Sequence, residues 1–166
     1  MRFNLLGTAF TGYGPNGEKL VAGVVPLSKD KTQVLLVQSP KGNWVFPKGG
    51  WETDEATPEV AACREAWEEA GVVCTIISPL GQVVTQSKRN NMAKYHFFEA
   101  IVEREESQWP EMNRGRKWVS LSQAEKELFG RPELLFALQG CIHQSSAVRG
   151  SSSASTDTSS ASASDA

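Results

Sequence analysis

The chain is poor in several things that would each announce a class of chemistry. It has three cysteines, Cys63, Cys74 and Cys141. Their number is odd and no close pairing pattern joins them, which argues against a disulfide scaffold and fits free thiols in a reducing compartment. Histidine is scarcer still, with only His96 and His143. Two isolated histidines and scattered cysteines argue against zinc, whose ligands cluster at short spacings. An excess of one charge is also missing. A net charge of -2 excludes a general affinity for nucleic acid and leaves room for a local basic patch. No apolar run approaches the ~20 residues that a membrane span needs. The opening MRFNLLGTAFTGYG has one Arg and a short, weakly apolar stretch. Residues 1–16 therefore read as an N-terminal arm rather than a secretory leader. The absence of address signals makes the cytoplasm, and the nucleus as well, the expected location.

What is present suits one soluble domain. The hydrophobic share is 40% of 166 residues, enough for a real core. From Ser145 the chain reads SSAVRGSSSASTDTSSASASDA, with no large apolar residue after Val148. Such a segment buries too little surface to offset its ordering entropy, so residues 145–166 are expected to be a disordered tail. The domain is expected over residues 17–144, without internal repeats. KLVAGVVPL and TQVLLVQS read as strands around an SKDK turn, and NWVFP as a short strand ending in a Pro-Lys-Gly-Gly turn. A helix is expected from Pro58 to Ala70, with Thr57 as N-cap and Gly71 at the C-terminal cap. VVCTIIS, LGQVVTQS, KYHFFEAIVE and RKWVSL read as further strands. Ser-Gln-Ala-Glu at Ser122 forms a capping box. A last helix, Pro132 to His143, carries Leu134, Leu135, Leu138 and Ile142 at helical spacing. Strands interleaved with few helices predict a mixed sheet flanked by helices.

The stretch REAWEEAG carries the chemistry. Glu65, Glu68 and Glu69 stand at i, i+3 and i+4, on one helix face. Like charges at that spacing repel, and near a helix C-terminus the macrodipole disfavours anions. On a helical wheel Val60, Cys63, Ala66, Trp67 and Ala70 share one broad side, expected to face the core. The glutamates share the other, with Ala61 and Ala62 beside them, small enough to admit a close backbone. A solvated charged face usually mixes Lys with Glu at i, i+4. Here only Arg64 is near. Clustered carboxylates without cations call for a hard divalent metal such as Mg²⁺, bound through a few carboxylates, a carbonyl, waters and substrate phosphates.

Together, GGWETDEATPEVAACREAWEEAGV resembles the Nudix box: Gly, five residues, Glu, seven residues, then Arg-Glu-aliphatic-x-Glu-Glu-x-Gly-aliphatic. Arg64, Glu65, Glu68, Glu69, Gly71 and Val72 match, with Ala66 at the aliphatic position. Counted back from Arg64, Ala56 stands where the pattern has Glu. Counted forward from Gly49, Glu55 fits, and the loop then holds one extra residue. No role is carried over to Glu55. The resemblance to Nudix hydrolases implies an α/β fold, a mixed β-sheet sandwiched between α-helices. It implies Mg²⁺, or Mn²⁺ in its place, on Glu65, Glu69 and the backbone carbonyl of Lys48. It implies Glu68 as general base for water and Arg64 as the residue that orients a neighbouring glutamate. A bound metal neutralises phosphate oxygens and lowers the pKa of water.

WVFPKGGWETDE with REAWEEAG looks most like the fungal-type diphosphoinositol polyphosphate and diadenosine polyphosphate phosphohydrolases. Such densely anionic substrates need several cations. The candidates are Lys19, Lys41, Lys88, Arg89, Arg114, Arg116 and Arg131, with Ser39 beside Lys41. Trp44 and Trp51 are candidates to stack on adenine. The expected partner is a small anionic polyphosphate, with no membrane, no nucleic acid except capped RNA as an alternative substrate, and a monomeric chain. Two other readings stand: a pyrophosphatase for other nucleoside diphosphate derivatives, such as nucleotide sugars or capped RNA, and a non-catalytic binding module of the same fold. The intact glutamates argue against the module, and the basic loops favour the first reading.

Overall fold

The computed structural model describes residues 10–151. Residues 1–9 of the expected arm and residues 152–166 of the expected tail lie outside the described residues. The central strand is β1 (Lys19–Leu27), buried along nearly its whole length. A strand covered on both faces reads as a continuous apolar run, as VAGVVPL does. β1 pairs in parallel with β6 (Met92–Glu105) from Lys19↔Ala93 to Leu27↔Ile101. Its other edge is shared. β4 (Lys48–Gly50) takes Val21 to Gly23, and β2 (Gln33–Gln38) takes Leu27, both antiparallel. β3 (Trp44–Val45) and β7 (Arg116–Ser120) pair with β2, and β5 (Val72–Gln86) closes the sheet against β6. The order is β3-β2-β1-β6-β5. The pleat assigns faces. Ala22 and His96 face α1 (Pro58–Ala70); Val21, Gly23, Tyr95 and Phe97 face the opposite layer, where α3 (Pro132–Ser151) packs Phe136 over Gly81. The result is a mixed α/β sandwich, completed by the short α2 (Leu121–Glu127).

The α1 caps sit where local chemistry predicts. The Thr57 hydroxyl accepts from the Val60 N–H, and Gly71 takes the left-handed φ of 63° that ends the helix. Four local expectations change. The two strands after α1 are one strand, β5, with register shifts at Val73/Cys74, Ile76/Ser78 and Pro79/Gly81. Bulges absorb Pro79, which lacks a ladder donor, and Gly81. The glycines expected as a turn after Pro47 pair instead with β1 as β4. α2 is capped by Ser120, whose hydroxyl accepts from Gln123 N at 3.2 Å, not by Ser122. The cap is a single bond two residues earlier than expected, and the Gln123 side chain reaches Glu127 rather than closing a box. α3 continues past His143 to Ser151. At the other end, residues 10–16 fold back on the domain. Thr11 bridges Glu52 and Tyr13 bridges Lys19. Among the described residues no helix is long and apolar enough to cross a membrane.

The free thiols follow from this packing. Burial pushes Cys74 and Cys141 up to about 12, and raises Cys63 as well. All three stay protonated at pH 8, and a thiol is a poor nucleophile. Iodoacetamide should label them slowly in native protein and quickly in urea. Rapid labelling of Cys74 and Cys141 in the native state would contradict the packing.

Candidate active site

The helix α1 is rotated relative to the wheel. Its buried residues are Ala61, Ala62, Glu65, Ala66, Glu69 and Ala70. Val60 is 52% exposed and Trp67 42% exposed. The glutamate face, not the Val60–Trp67 face, is turned inward. The small side chains explain the choice. Alanines let α1 settle close on β1 and β4, where Gly49 leaves the space that Glu65 fills. A Cβ on Gly49 would overlap the Glu65 carboxylate. Large residues at Val60 and Trp67 would hold the helix away.

Burying carboxylates is costly unless they are paired. Arg64 does the pairing. Its Nη1 donates to Glu65 at 2.9 Å and to Glu68 at 3.3 Å. Its Nε and Nη2 fork onto both oxygens of Glu55, and Nη2 also reaches the Gly50 carbonyl at 2.9 Å. Burial works against the guanidinium charge, but the hydrogen bond to Glu55 and the charges of Glu65, Glu55 and Glu68 outweigh it and raise its pKa. Glu55 thus enters the site, although no role was carried over to it. The extra residue is absorbed in a turn, in which Glu55 accepts from Glu52 N at 2.9 Å and donates its own N–H to the Glu52 carbonyl. The spacing counted from Gly49 was the signal.

Glu69 is held separately. It accepts from Lys48 N at 3.1 Å and pairs with Arg114 Nη1 at 2.6 Å. Burial raises its carboxyl above the usual range, against the lowering effect of Arg114. Lys48 lies at the free edge of β4. Burial lowers its ammonium pKa, while Glu69 raises it and Arg131 lowers it; Glu133 and Arg114 act more weakly. Lys48 thereby connects the α1 carboxylates with the start of α3.

The basic residues divide. Arg114 stands at the glutamates, bound to Glu69, Glu111 and the Gln38 carbonyl rather than presented to solvent. Arg116 lies outside the site. It caps α1 by donating to the Ala70 and Gly71 carbonyls and stacks over Trp109 at 4.2 Å. Its expected contact with substrate finds no support here, since its guanidinium is engaged by those two carbonyls, the Glu106 carbonyl and the Glu105 carboxylate. Ser39 and Lys41 stand in the β2–β3 turn, next to the Gln38 carbonyl that Arg114 holds; the Ser39 hydroxyl accepts from Asn43 N. Lys88 and Arg89 occupy the tip of the β5–β6 hairpin. The ends of that tip line a groove of about 540 Å³ with Lys19, Tyr95 and Arg131, the last paired with Glu133. Neither tryptophan is a free stacking platform. Trp44 carries the Lys117 ammonium 4.2 Å above its ring. Trp51 meets His96 edge-on and donates to the Glu55 carbonyl.

The donor set can be tested against a metal. Among the described residues no three His, Cys, Asp or Glu side chains form a ready-made cluster. Two buried carboxylates beside the outer edge of β4 fit a hard cation that keeps waters and takes substrate phosphates. They do not form an all-protein cage.

The NUDIX domain profile matches residues 17–138. Nudix hydrolase 4 of Arabidopsis thaliana is 42% identical over 125 residues, 68% of this chain and 60% of the relative. Nudix hydrolase 21, chloroplastic, of the same plant is 41% identical over 121 residues, 68% of this chain and 61% of the relative. The match thus spans about three-fifths of these relatives' length. A C. elegans Ap4A hydrolase, solved as a binary complex, superposes with a TM-score of 0.62 at 23% identity, covering 79% of this chain and 98% of that one. The chain belongs to the NUDIX family. Names such as chloroplastic and mitochondrial among the relatives lend no support to the cytoplasm and nucleus.

Arg64→Met tests the charge balance. It leaves the fully buried Glu65 without the guanidinium, and breaking a buried pair costs roughly 3–5 kcal/mol. The urea midpoint should fall accordingly. An unchanged midpoint would show that Arg64 does not stabilise the glutamates.

Proposed function

We propose that the chain hydrolyses phosphoanhydride bonds in diphosphoinositol polyphosphates and diadenosine polyphosphates, with Mg²⁺, or Mn²⁺ in its place. The graded burial of the three helix carboxylates carries this reading. The Glu65 side chain is 0% exposed, that of Glu69 11% and that of Glu68 21%. Two carboxylates are suited to hold an ion and the third to meet water. Glu65, Glu69 and the Lys48 carbonyl would hold Mg²⁺, which supplies charge neutralisation at the phosphate oxygens. Glu68 accepts the proton of the attacking water, whose oxygen bonds to phosphorus as the bridging P–O bond breaks. Arg64 holds Glu68 in place through the 3.3 Å contact. Lys19 and Arg131 neutralise phosphates along the groove, and Lys88 and Arg89 those that reach the hairpin tip beyond it. The fold shared with an Ap4A hydrolase supports the dinucleotide arm of the proposal.

A phosphate-release panel with Mg²⁺ tests it across inositol pyrophosphates, diadenosine tetraphosphate and nucleotide sugars. Release only from nucleotide sugars would overturn it. Glu68→Gln should lower kcat by about 10²–10⁴, the usual worth of a general base, and by similar factors on the first two substrates.

Glu69→Gln leaves Arg114 to Glu111 and the Gln38 carbonyl, so the melting temperature without metal should fall while the chain still folds. It should abolish most of the thermal stabilisation that Mg²⁺ gives the wild type. Full activity at low Mg²⁺ would sink the ligand assignment. Replacing Lys88 and Arg89 by Ala should cost more kcat/KM on the inositol substrate, which has more peripheral phosphates. Equal losses on both substrates would remove that hairpin as a selector.

A further inference from the structure

Residues 106–115 run past the C-terminal end of α1 and are tied to it. Glu106 N–H donates to the Gly71 carbonyl at 2.7 Å, and Glu111 N–H to the Glu68 carbonyl at 3.0 Å. Arg114 N–H then returns to the Glu111 carbonyl at 2.9 Å, closing a turn across which the two side chains pair. The turn delivers the Arg114 guanidinium to Glu69. Its Nη1 lies 2.6 Å from Glu69 Oε1 and donates to Glu111 Oε2 at 2.8 Å, while Nε donates to the Gln38 carbonyl at 2.6 Å. One nitrogen thus joins two carboxylates of unequal burial. The Glu69 side chain is 11% exposed and that of Glu111 34%.

The two oxygens of Glu69 are used differently. Oε2 accepts the Lys48 N–H, and Oε1 takes the guanidinium. The oxygen that Arg114 holds is therefore the one that the backbone leaves to other partners. A divalent cation drawn to that oxygen meets a positive charge beside it, in a pocket where water screens poorly. A buried charge that loses its partner is strongly destabilising. Arg114 avoids that state. When it yields Glu69 Oε1, it keeps Glu111 and the Gln38 carbonyl.

We propose that Arg114 is a positioning residue that competes with the divalent cation for Glu69, and that Glu111 holds its guanidinium when the cation binds. Arg114 balances the charge of Glu69 on the folded helix at the cost of weaker cation binding, and Glu111 reduces that cost. The inference rests on the reading of Glu69 as a metal ligand and assigns two residues that this reading does not require. A pure scaffold has the opposite sign. Losing a scaffold frees Glu69 and weakens cation binding, whereas losing a competitor strengthens it.

The test titrates Mn²⁺ alone into the full chain at pH 8 and counts the unbound ion by its electron paramagnetic resonance signal. Arg114→Met should bind Mn²⁺ about tenfold more tightly than wild type, the worth of one charge-assisted contact. Glu111→Gln should bind it several-fold less tightly, because the guanidinium then has only the Gln38 carbonyl to turn to. Adding Glu111→Gln to Arg114→Met should change nothing, since Glu111 acts through Arg114. Weaker or unchanged binding by Arg114→Met would overturn the competition. A loss from Glu111→Gln that persists in the double variant would show that Glu111 attracts the ion directly, and would overturn its role. Glu111 is partly exposed and its backbone bond to Glu68 survives the change, so Glu111→Gln remains a test if Arg114→Met does not fold: unchanged or tighter binding then refutes the proposal. Glu69→Gln scores the metal reading separately. Wild-type affinity in that variant refutes Glu69 as a ligand and the competition with it. Weakened affinity there, beside no gain in Arg114→Met, refutes the competition alone.

Discussion

Everything around the site depends on one guanidinium. Arg64 lies at the meeting point of the Nudix-box loop, the β4 edge and helix α1, and touches all three. Its bonds to Glu55, Glu65 and Glu68 allow a helix with an acidic face to turn that face inward. Without such pairing, desolvation would favour the opposite rotation, with Val60 and Trp67 inside and the carboxylates in water. The same guanidinium ties the loop to the helix through the Gly50 carbonyl. The position of β4 beside α1 and the pairing of Glu65 and Glu68 therefore rest on one side chain, while Arg114 balances Glu69.

Backbone approach is the second constraint. β4 is three residues long and pairs with β1 alone. Its outer edge is available to side chains, and Glu69 takes the Lys48 N–H there. Gly49 has no Cβ, so the Glu65 carboxylate occupies the space next to the strand. Arg116 and Trp109 then lock the end of α1 behind the site, the first through the Ala70 and Gly71 carbonyls, the second by packing on Gly71. Two basic residues separated by one glycine, Arg114 before β7 and Arg116 at its start, so serve opposite ends of the same arrangement. One reaches a carboxylate, the other helix carbonyls.

The polar groove adjoins a second cavity of about 380 Å³. Lys19 and Arg131 bring positive charge to the first, while Tyr13 and the asparagines give the second a mostly uncharged lining beyond the shared Lys19. The division arises from two tight turns distant in sequence, residues 14–17 and 87–91, brought together at one end of the sheet by the parallel pairing of β1 with β6.

Local chemistry was enough to read much of this chain. The caps of α1, the strands β1 and β2, the Leu134–Leu138 stripe of α3 and the Arg64–Glu69 spacing follow from short-range propensities and periodicity, which need no partner. Three features needed the tertiary structure. The inward rotation of α1 depends on whether its carboxylates find cations, and Glu55 lies nine residues from Arg64 in a loop with one extra residue. The use of Arg116 as a cap depends on a helix end 45 residues away, at Gly71. The cavity at Tyr13 exists only because a segment outside the family match folds back onto β1. In each case the deciding energy is an electrostatic or steric contact that the fold assembles, to which periodicity is blind.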